Sequence, residues 1–553
     1  MTRSERPPAM QRRHRLLRIS RILAVTMLLA AAASGQQQDL PEVFSEVVDV
    51  RVVNIEVVVT DRKGNRVHSL QASEFELLVD GEPTPIDYFT EIRDGFALEP
   101  GEGDVAAVPS LDPDTPVATN FLIYVDDFFS IERDRNRVLD RLEEDLGELG
   151  PADRVAAVAF DGSSVETLTA WTNSPGQLGE ALDRARGRPA HGLERRSELR
   201  MVDSDRNSVE QFERSLTISR GLSSLASRAE IYYQEKLAEQ LERSVLAAVA
   251  TMRRFANQRG RKVMLLLAGG WPRSVKVYAL GRPPVDDTEA IDSRVASEDE
   301  LYGPLVSTAN LIGFALYPVD VPAAAAGRRN PLKGRERQYQ LRSTLQQLAA
   351  RTGGVPMLAA QRDTALSRVV EDTRSYYWLG FEPQRHEDDA FHEIVVRAVG
   401  RSDLEVRTRE GYVDMSRDRE IAMTAEGALL FGDLPDALPL DVRLGAPVRV
   451  GRGRISVPME VTIPLDEKEF LPAGDQSQSV LEVRVAVMDE SGNRAEVSLE
   501  RVPVVGPEQP QPGQIFYYET DLQLRRREHT VLVTVRDPLT GTTLSASREI
   551  SPR

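Results

Sequence analysis

The period of hydrophobic positions changes along the chain, and each change marks a different kind of element. Over residues 47–92 apolar and polar residues nearly alternate. VVDVRVVNIEVVVTDRKGNRV and FELLVDGEPTPIDYF therefore predict strands, with turns at D-R-K-G-N and at Asp80-Gly81. This predicts a small β-sandwich-like module over 47–94. GFALEPGEGDVAAVPSLDPDTPVA follows, rich in Gly, Pro and acidic residues, and reads as a linker over 95–118.

The period then lengthens. FLIYVDD (Phe121–Asp127) is a continuous apolar strand ending in two aspartates, and RVAAVAF and KVMLLLAGG are two more. Between them lie helical stripes such as Val138, Leu139, Leu142, Leu146 and Leu149. Apolar strands alternating with amphipathic helices predict a parallel sheet covered on both faces. Residues 119–382 thus read as one α/β domain of doubly wound, Rossmann-like class. Two segments do not fit its core: a polar stretch over 193–215, and a Pro-rich then acidic stretch over 274–300. Both are expected as surface insertions. Thr352-Gly353-Gly354 reads as a helix stop.

Alternation returns after Pro383. FHEIVVRAV and LEVRTREGYV predict a β hairpin over 383–413. ISVPMEVTIPL, SVLEVRVAVMDESGNRAEVSLERV and HTVLVTVRDPLTGTTLSASREI predict a C-terminal β-sandwich-like region over 437–549.

The amino-terminal end has a different character. Five arginines between Arg12 and Arg21 precede the apolar run Ile22–Ala33, and small residues follow to Gly35. The run's twelve residues, polar only at Thr26, give about 18 Å of helix, short of a bilayer core of roughly 30 Å. Residues 1–35 thus have the order of a secretory signal peptide, with an uncleaved anchor as the alternative. An exported protein, periplasmic or secreted, is expected, with no transmembrane segment in the mature chain. Charge supports this division. Residues 1–35 hold seven arginines and one glutamate, a net +6, so the rest of a chain with formal charge −17 carries −23. Such an acidic body argues against nucleic-acid partners. Among 553 residues there is no cysteine, which removes disulfides, thiolate metal sites and cysteine nucleophiles.

Oxygen chemistry remains, and its place is the carboxyl ends of the parallel strands. The first strand delivers Asp126 and Asp127 with Ser130 just beyond. Asp161 follows the second strand, and Gly269-Gly270-Trp271 a later one. Converging oxygens there would suit a hard cation. The alternative is that the aspartates cap the following turn. Phe128, Phe129 and Trp271 are expected either as an apolar patch on this ligand face or as core.

VVNIEVVVTDRKGNRVHSLQASEFELLVDG, FLIYVDDFFS, KVMLLLAGG, LAARTGG, SYYWLGFEP and FHEIVVRAVGRSDLEVRTREGYV occur in one order over about 47–413. In these blocks the chain resembles exported bacterial von Willebrand factor A (VWA) domain proteins, common in Acidobacteria and relatives. The resemblance implies the doubly wound fold and a metal-ion-dependent adhesion site holding Mg²⁺ or Ca²⁺. Matched to that site's Asp-x-Ser-x-Ser motif, the aspartate is Asp126 and the second serine Ser130. Phe128 stands where the first serine belongs, and Ala268-Gly269 stand where a Thr-Asp is usual. Asp127 is the available substitute ligand. The site is therefore degenerate: no cofactor is expected, with Mg²⁺ or Ca²⁺ on Asp126, Ser130 and Asp127 as the alternative.

No G-x-S-x-G, P-loop or H-E-x-x-H motif occurs, and the six histidines have no metalloprotease spacing. The expected function is non-catalytic: an extracytoplasmic interaction or adhesion-type module binding a protein or cell-surface ligand. A structural component of the envelope and, more remotely, a hydrolase are the alternatives.

Overall fold

The computed structural model describes residues 52–551, apart from 99–104, 108–115, 217–222, 257, 284–294, 323–330, 359–363, 384–385, 432–436, 467, 474–475, 491–493, 496–497, 507–509 and 512. The signal-peptide reading of 1–35 lies outside the described residues, as do parts of the linker and of the 274–300 segment. Among the described residues no helix is long and apolar enough to cross a membrane.

The alternating amino-terminal segment forms β1 (Val53–Asp61), β2 (Phe75–Val79), β3 (Glu82–Thr84), β4 (Tyr88–Arg93) and β5 (Phe96–Ala97). These strands do not make a module of their own. β1 lies between β11 (Tyr376–Phe381) and β13 (Leu404–Arg407), in a five-stranded antiparallel sheet of order β13-β1-β11-β4-β5. β2 pairs with β12 (Phe391–Ala398), which also pairs with β14 (Gly411–Val413). The two sheets share one core of Ile55, Val57, Phe75, Leu77, Phe89, Tyr377 and Leu379. Each half of this unit leaves an apolar face that only the other, some 300 residues away, covers.

Between the halves run β6 (Thr119–Asp126), α1 (Glu132–Glu144), β7 (Arg154–Phe160), β8 (Val165–Thr172), α2 (Pro175–Gly187), α3 (Gly192–Leu216), α4 (Ser223–Arg254), β9 (Arg261–Ala268), α5 (Val275–Leu280), α6 (Glu298–Ile312), β10 (Phe314–Asp320), α7 (Pro331–Arg351) and α8 (Ala365–Thr373). The expected fold class, an α/β doubly wound Rossmann-like domain over 119–382, is corrected here. The sheet is mixed and five-stranded, β10-β9-β6-β7-β8, and β8 runs antiparallel to β7 across irregular register. The apolar strand SYYWLGF, expected inside 119–382, belongs instead to the antiparallel sheet with β1 and β4. Of the five sheets described, three are wholly antiparallel and two mixed, so the chain is a multi-sheet α+β assembly dominated by antiparallel pairing. The physical reason is that continuous apolarity reports burial on both faces and is silent on strand direction.

Among the described residues, neither expected insertion is a bare surface loop. The 193–215 stretch is most of α3, which buries Leu199 and directs Asp203 to the buried Arg337, 2.7 Å away. Within 274–300, Ser274 caps α5 by accepting from the Val277 amide, and Ser297 with Glu300 forms a capping box for α6.

A helix not expected from the sequence, α9 (Arg417–Phe431), joins the α/β layer to the carboxyl-terminal sheets. Its Gly427 lies against Ala250 of α4, and its Ala425, Ala428 and Leu429 pack on Ala486 and Leu532. β-Sandwich-like sheets follow. One holds β15 (Leu438–Pro439), β19 (Leu471–Ala473), β20 (Gln476–Asp489), β21 (Ser498–Gly506), β23 (His529–Arg536) and β24 (Thr543–Ile550). The other holds β16 (Asp441–Leu444), β17 (Val448–Arg449), β18 (Arg454–Pro464) and β22 (Ile515–Arg525). Alternate residues of β18 (Ile455, Val457, Met459, Val461, Ile463) meet Val531, Val533 and Val535 of β23 in a common core.

Candidate functional site at the ends of the parallel strands

β6 is buried along its whole length, and the chain turns sharply after Asp126. Asp126 makes that turn: its Oδ1 accepts the amides of Phe128 (3.0 Å) and Phe129 (3.2 Å), and its Oδ2 accepts the indole N–H of Trp271 at 2.7 Å. Asp127 faces another way. Its Oδ1 accepts from the buried guanidinium of Arg135 on α1, and its Oδ2 accepts Arg188 Nε at 2.7 Å. Arg188 also meets Glu166 and lies 3.9 Å from Asp161, so it ties together the segments after β6, β7 and α2. Asp161 itself closes a turn, accepting the amides of Ser163 (2.8 Å) and Ser164 (2.9 Å) and both serine hydroxyls.

The electrostatics follow from this geometry. Burial pushes the Asp126 carboxyl up to about 7, against the three donors that favour its ionised form. Burial also pushes Asp127 up, opposed by Arg135 and Arg188. Asp161 is partly buried, but the Ser164 and Ser163 hydrogen bonds outweigh that and hold it below the usual carboxylate range.

The three aromatic residues expected near this face are core. Phe128, Phe129 and Trp271 are 8%, 4% and 1% exposed, so the reading of an apolar surface patch is corrected. Phe128 packs edge-on to Phe129 with ring centroids 5.0 Å apart, and the Arg195 guanidinium stacks 4.7 Å above Phe128. Gly162, at φ +104°, makes room for this ring; a Cβ there would stand 2.3 Å from Phe128. Trp271 stacks on Tyr302 at 6.0 Å.

These donors do not fit a Mg²⁺ or Ca²⁺ ion. Such ions take six or more oxygens, whereas every oxygen of Asp126 and Asp127 already accepts a bond from a fixed donor. Ser130 Oγ, buried and without a hydrogen-bond partner, is the leftover donor of the motif. The structure thus brings Asp126, Phe128, Phe129, Ser130 and Trp271 together as a packed plug, with Asp127 and Asp161 joined beside it through Arg188.

The Asp126–Trp271 bond gives a direct readout. The Trp271 indole N–H resonance should titrate with an apparent pKa near 7, and Asp126→Asn should abolish that titration. Because the folded pKa lies above the unfolded value of about 3.9, this group makes stability fall as pH rises from about 4 to about 7 and then level off. A Trp271 resonance flat between pH 5 and 9 defeats this assignment.

No known family profile matches the chain, and no curated protein does. Among solved structures, the chain has a TM-score of 0.15 and 12% identity to a calcium-binding mutant of Bacteroides uniformis beta-glucuronidase 2, covering 20% of this chain and 13% of that one. Against the putative ApaA protein from Bordetella pertussis the TM-score is 0.13 at 17% identity, covering 21% of this chain and 98% of that one. The chain thus spans about an eighth of the glucuronidase. Likenesses this slight carry no argument about fold or activity.

Proposed function

We infer that this chain is an exported, non-catalytic interaction protein that engages a protein partner through the open edge of its C-terminal sheets. The signal-like first 35 residues support an extracytoplasmic setting. Against catalysis at the strand ends stands the consumption of Asp126, Asp127 and Asp161 by internal hydrogen bonds, which leaves no paired carboxylates there for acid–base work.

The observation that carries the reading is β22. It pairs with β18 over eleven residues and, among the described residues, with no other strand. An edge strand is ordinarily protected by charge, proline or a bulge. The second half of β22 has that protection in Glu519, Asp521 and Arg525, but the first half presents Ile515 and Tyr517, 46% and 55% exposed. Val448 and Val450, exposed on the same two-sheet unit, add apolar surface. An edge of this kind accepts an extended segment of another polypeptide by strand addition, with backbone bonds giving affinity and alternate side chains selectivity.

A photo-crosslinking residue at Tyr517 should give a discrete adduct in the native envelope. Ile515→Lys with Tyr517→Lys should reduce retention of that partner at least tenfold, while unfolding changes by no more than about 0.5 kcal/mol, as expected for surface substitutions. A monomer that gives no adduct, or retention unaffected by the double substitution, overturns the reading.

A further inference from the structure

We propose that Asp388, His392 and Asp414 form a binding site for a borderline divalent cation, Zn²⁺ foremost, at the end of the paired strands β12 and β14. One ligand atom from each of the three lies within 4.8 Å of the others. They come from three pieces of backbone: Asp388 from the loop before β12, His392 from β12 itself, and Asp414 from just after β14. The β12–β14 pairing brings them together by setting His392 opposite Tyr412. Gly411 permits the close approach, since a Cβ there would stand 2.2 Å from the His392 carbonyl oxygen.

The imidazole is the informative member. Its Nδ1 lies 2.7 Å from Asp80 Oδ2, and its ring stacks on Tyr412 with centroids 5.0 Å apart. Its Nε2 is shut off from solvent and meets no hydrogen-bond partner. A ring nitrogen held by a carboxylate while the other is buried and unmatched is the arrangement of a metal-bound histidine, in which the outer carboxylate fixes tautomer and orientation. A neutral imidazole whose Nδ1 donates to Asp80 leaves the Nε2 lone pair available to a cation.

The supporting shell is built. Asp80 Oδ1 also accepts the Glu393 amide at 2.9 Å, which anchors the carboxylate that orients the ring. Asp414 Oδ2 accepts the amides of His386 (2.5 Å) and Glu387 (2.9 Å), and Asp389 accepts from the amide and hydroxyl of Ser416. The loop carrying Asp388 is therefore tied down at both ends, although Glu387 and Asp389 sit at φ +50° and +59°.

The donor set selects the ion. One imidazole with two carboxylates suits Zn²⁺ or a neighbouring first-row dication, whereas Mg²⁺ and Ca²⁺ prefer oxygen throughout. Zinc bonds of about 2.0–2.2 Å in a tetrahedral site place ligand atoms about 3.3–3.6 Å apart. The three atoms lie within 4.8 Å of one another, and the exposed Asp388 side chain can move to meet the shorter spacing. Three protein ligands leave a fourth position for solvent or an incoming group.

The test is calorimetric titration of Zn²⁺, and absorption titration of Co²⁺, into the chelator-stripped chain. One equivalent should bind at micromolar concentration or tighter, with Co²⁺ giving a visible d–d band. Asp388→Asn and His392→Gln should each weaken binding at least tenfold, and Asp80→Asn, which removes only the orienting carboxylate charge, about tenfold. Asp388 is exposed, so its variant serves as the one that folds, checked by hydrogen exchange of β12 and β14. Absence of one-equivalent binding below about 100 μM, binding unchanged in Asp388→Asn, or Mg²⁺ competing on equal terms overturns the proposal.

Discussion

Asp127→Ala is expected to cost about 3–5 kcal/mol of unfolding free energy, the range found when one partner of a buried ion pair is removed. The reason is Arg135. Its side chain is fully buried, and besides Asp127 it donates to the carbonyls of Arg186 (3.2 Å) and Arg188 (2.9 Å) and to Asn136. Those neutral acceptors keep it solvated in part, but Asp127 is the fully buried anion paired with it. Without Asp127 a guanidinium is left in the core with no charge opposite it. Since a domain holds only about 5–15 kcal/mol in all, the variant should melt well below the parent, with exchange rising first in β6 and α1. Removing both charges is the decisive comparison. Asp127→Leu with Arg135→Met should recover most of the loss, because the desolvation cost of the pair disappears with it. Arg188 is the less affected partner, since Glu166 and Asp161 remain beside it. A single substitution costing under about 1 kcal/mol shows that the pair contributes little.

Asp372→Ala should cost a similar amount, and its pH dependence should run opposite to that of Asp126. Asp372 closes the joint between the antiparallel unit and the mixed sheet. Its carboxylate accepts from Arg66 at 2.6 Å, from Arg407 at 2.7 Å to both oxygens, and from the Tyr317 hydroxyl at 2.7 Å. Burial pushes this carboxyl up, but Arg407, Arg66 and Arg261 together overcome that and hold it at about 2. The folded pKa is thus depressed below the unfolded value of about 3.9. The stability it contributes is complete above pH 4 and is lost as pH falls through about 2. A carboxyl held that far below its unfolded value contributes about 2–3 kcal/mol. Asp372→Asn keeps the shape without the charge, so it should lack this acid-range loss, and the parent's advantage over it should shrink as pH falls. Urea unfolding at pH 7 and pH 3 separates the cases: a parent–variant difference that does not shrink on acidification rules out the linkage.

The two aspartates were not equally legible. Asp127 stands in FLIYVDD, where two carboxylates after a continuous apolar run advertise a strand end. The run says nothing about what those carboxylates touch. Arg135 lies eight residues on, in a segment whose helical stripe is apolar on one side, and arginine there reads as solvated surface. Asp372 gives no signal at all, since its partners stand at positions 66, 317 and 407. The same holds for Asp388, His392 and Asp414. The histidine spacing excludes a helical metal motif, but strand pairing joins residues of any spacing that its register sets opposite one another. For Phe128, Phe129 and Trp271 the sequence left core and surface equally open. Their burial depends on Gly162 and on Gly270, where a Cβ would stand 2.7 Å from Phe129, and on Leu237 and Leu241 of α4 in the same core, none of which a local pattern reports.

What the sequence determined by itself was local: where most strands and turns fall, where a helix stops before Gly353, which faces are apolar, and which chemistries the lack of cysteine removes. These follow from side-chain period and backbone preference, which act over a few residues. What the tertiary structure alone decided was partnership. It set β1 between β11 and β13, sent the apolar strand at 376–381 out of the parallel layer, and made a connecting helix of residues 417–431. It turned the expected ligand aspartates inward to Trp271 and Arg135. Burial on both faces looks the same in a parallel or an antiparallel sheet, and a carboxylate reads the same whether a cation, a guanidinium or an indole stands before it. Only long-range packing, which places residues some 300 positions apart within hydrogen-bond reach, distinguishes them.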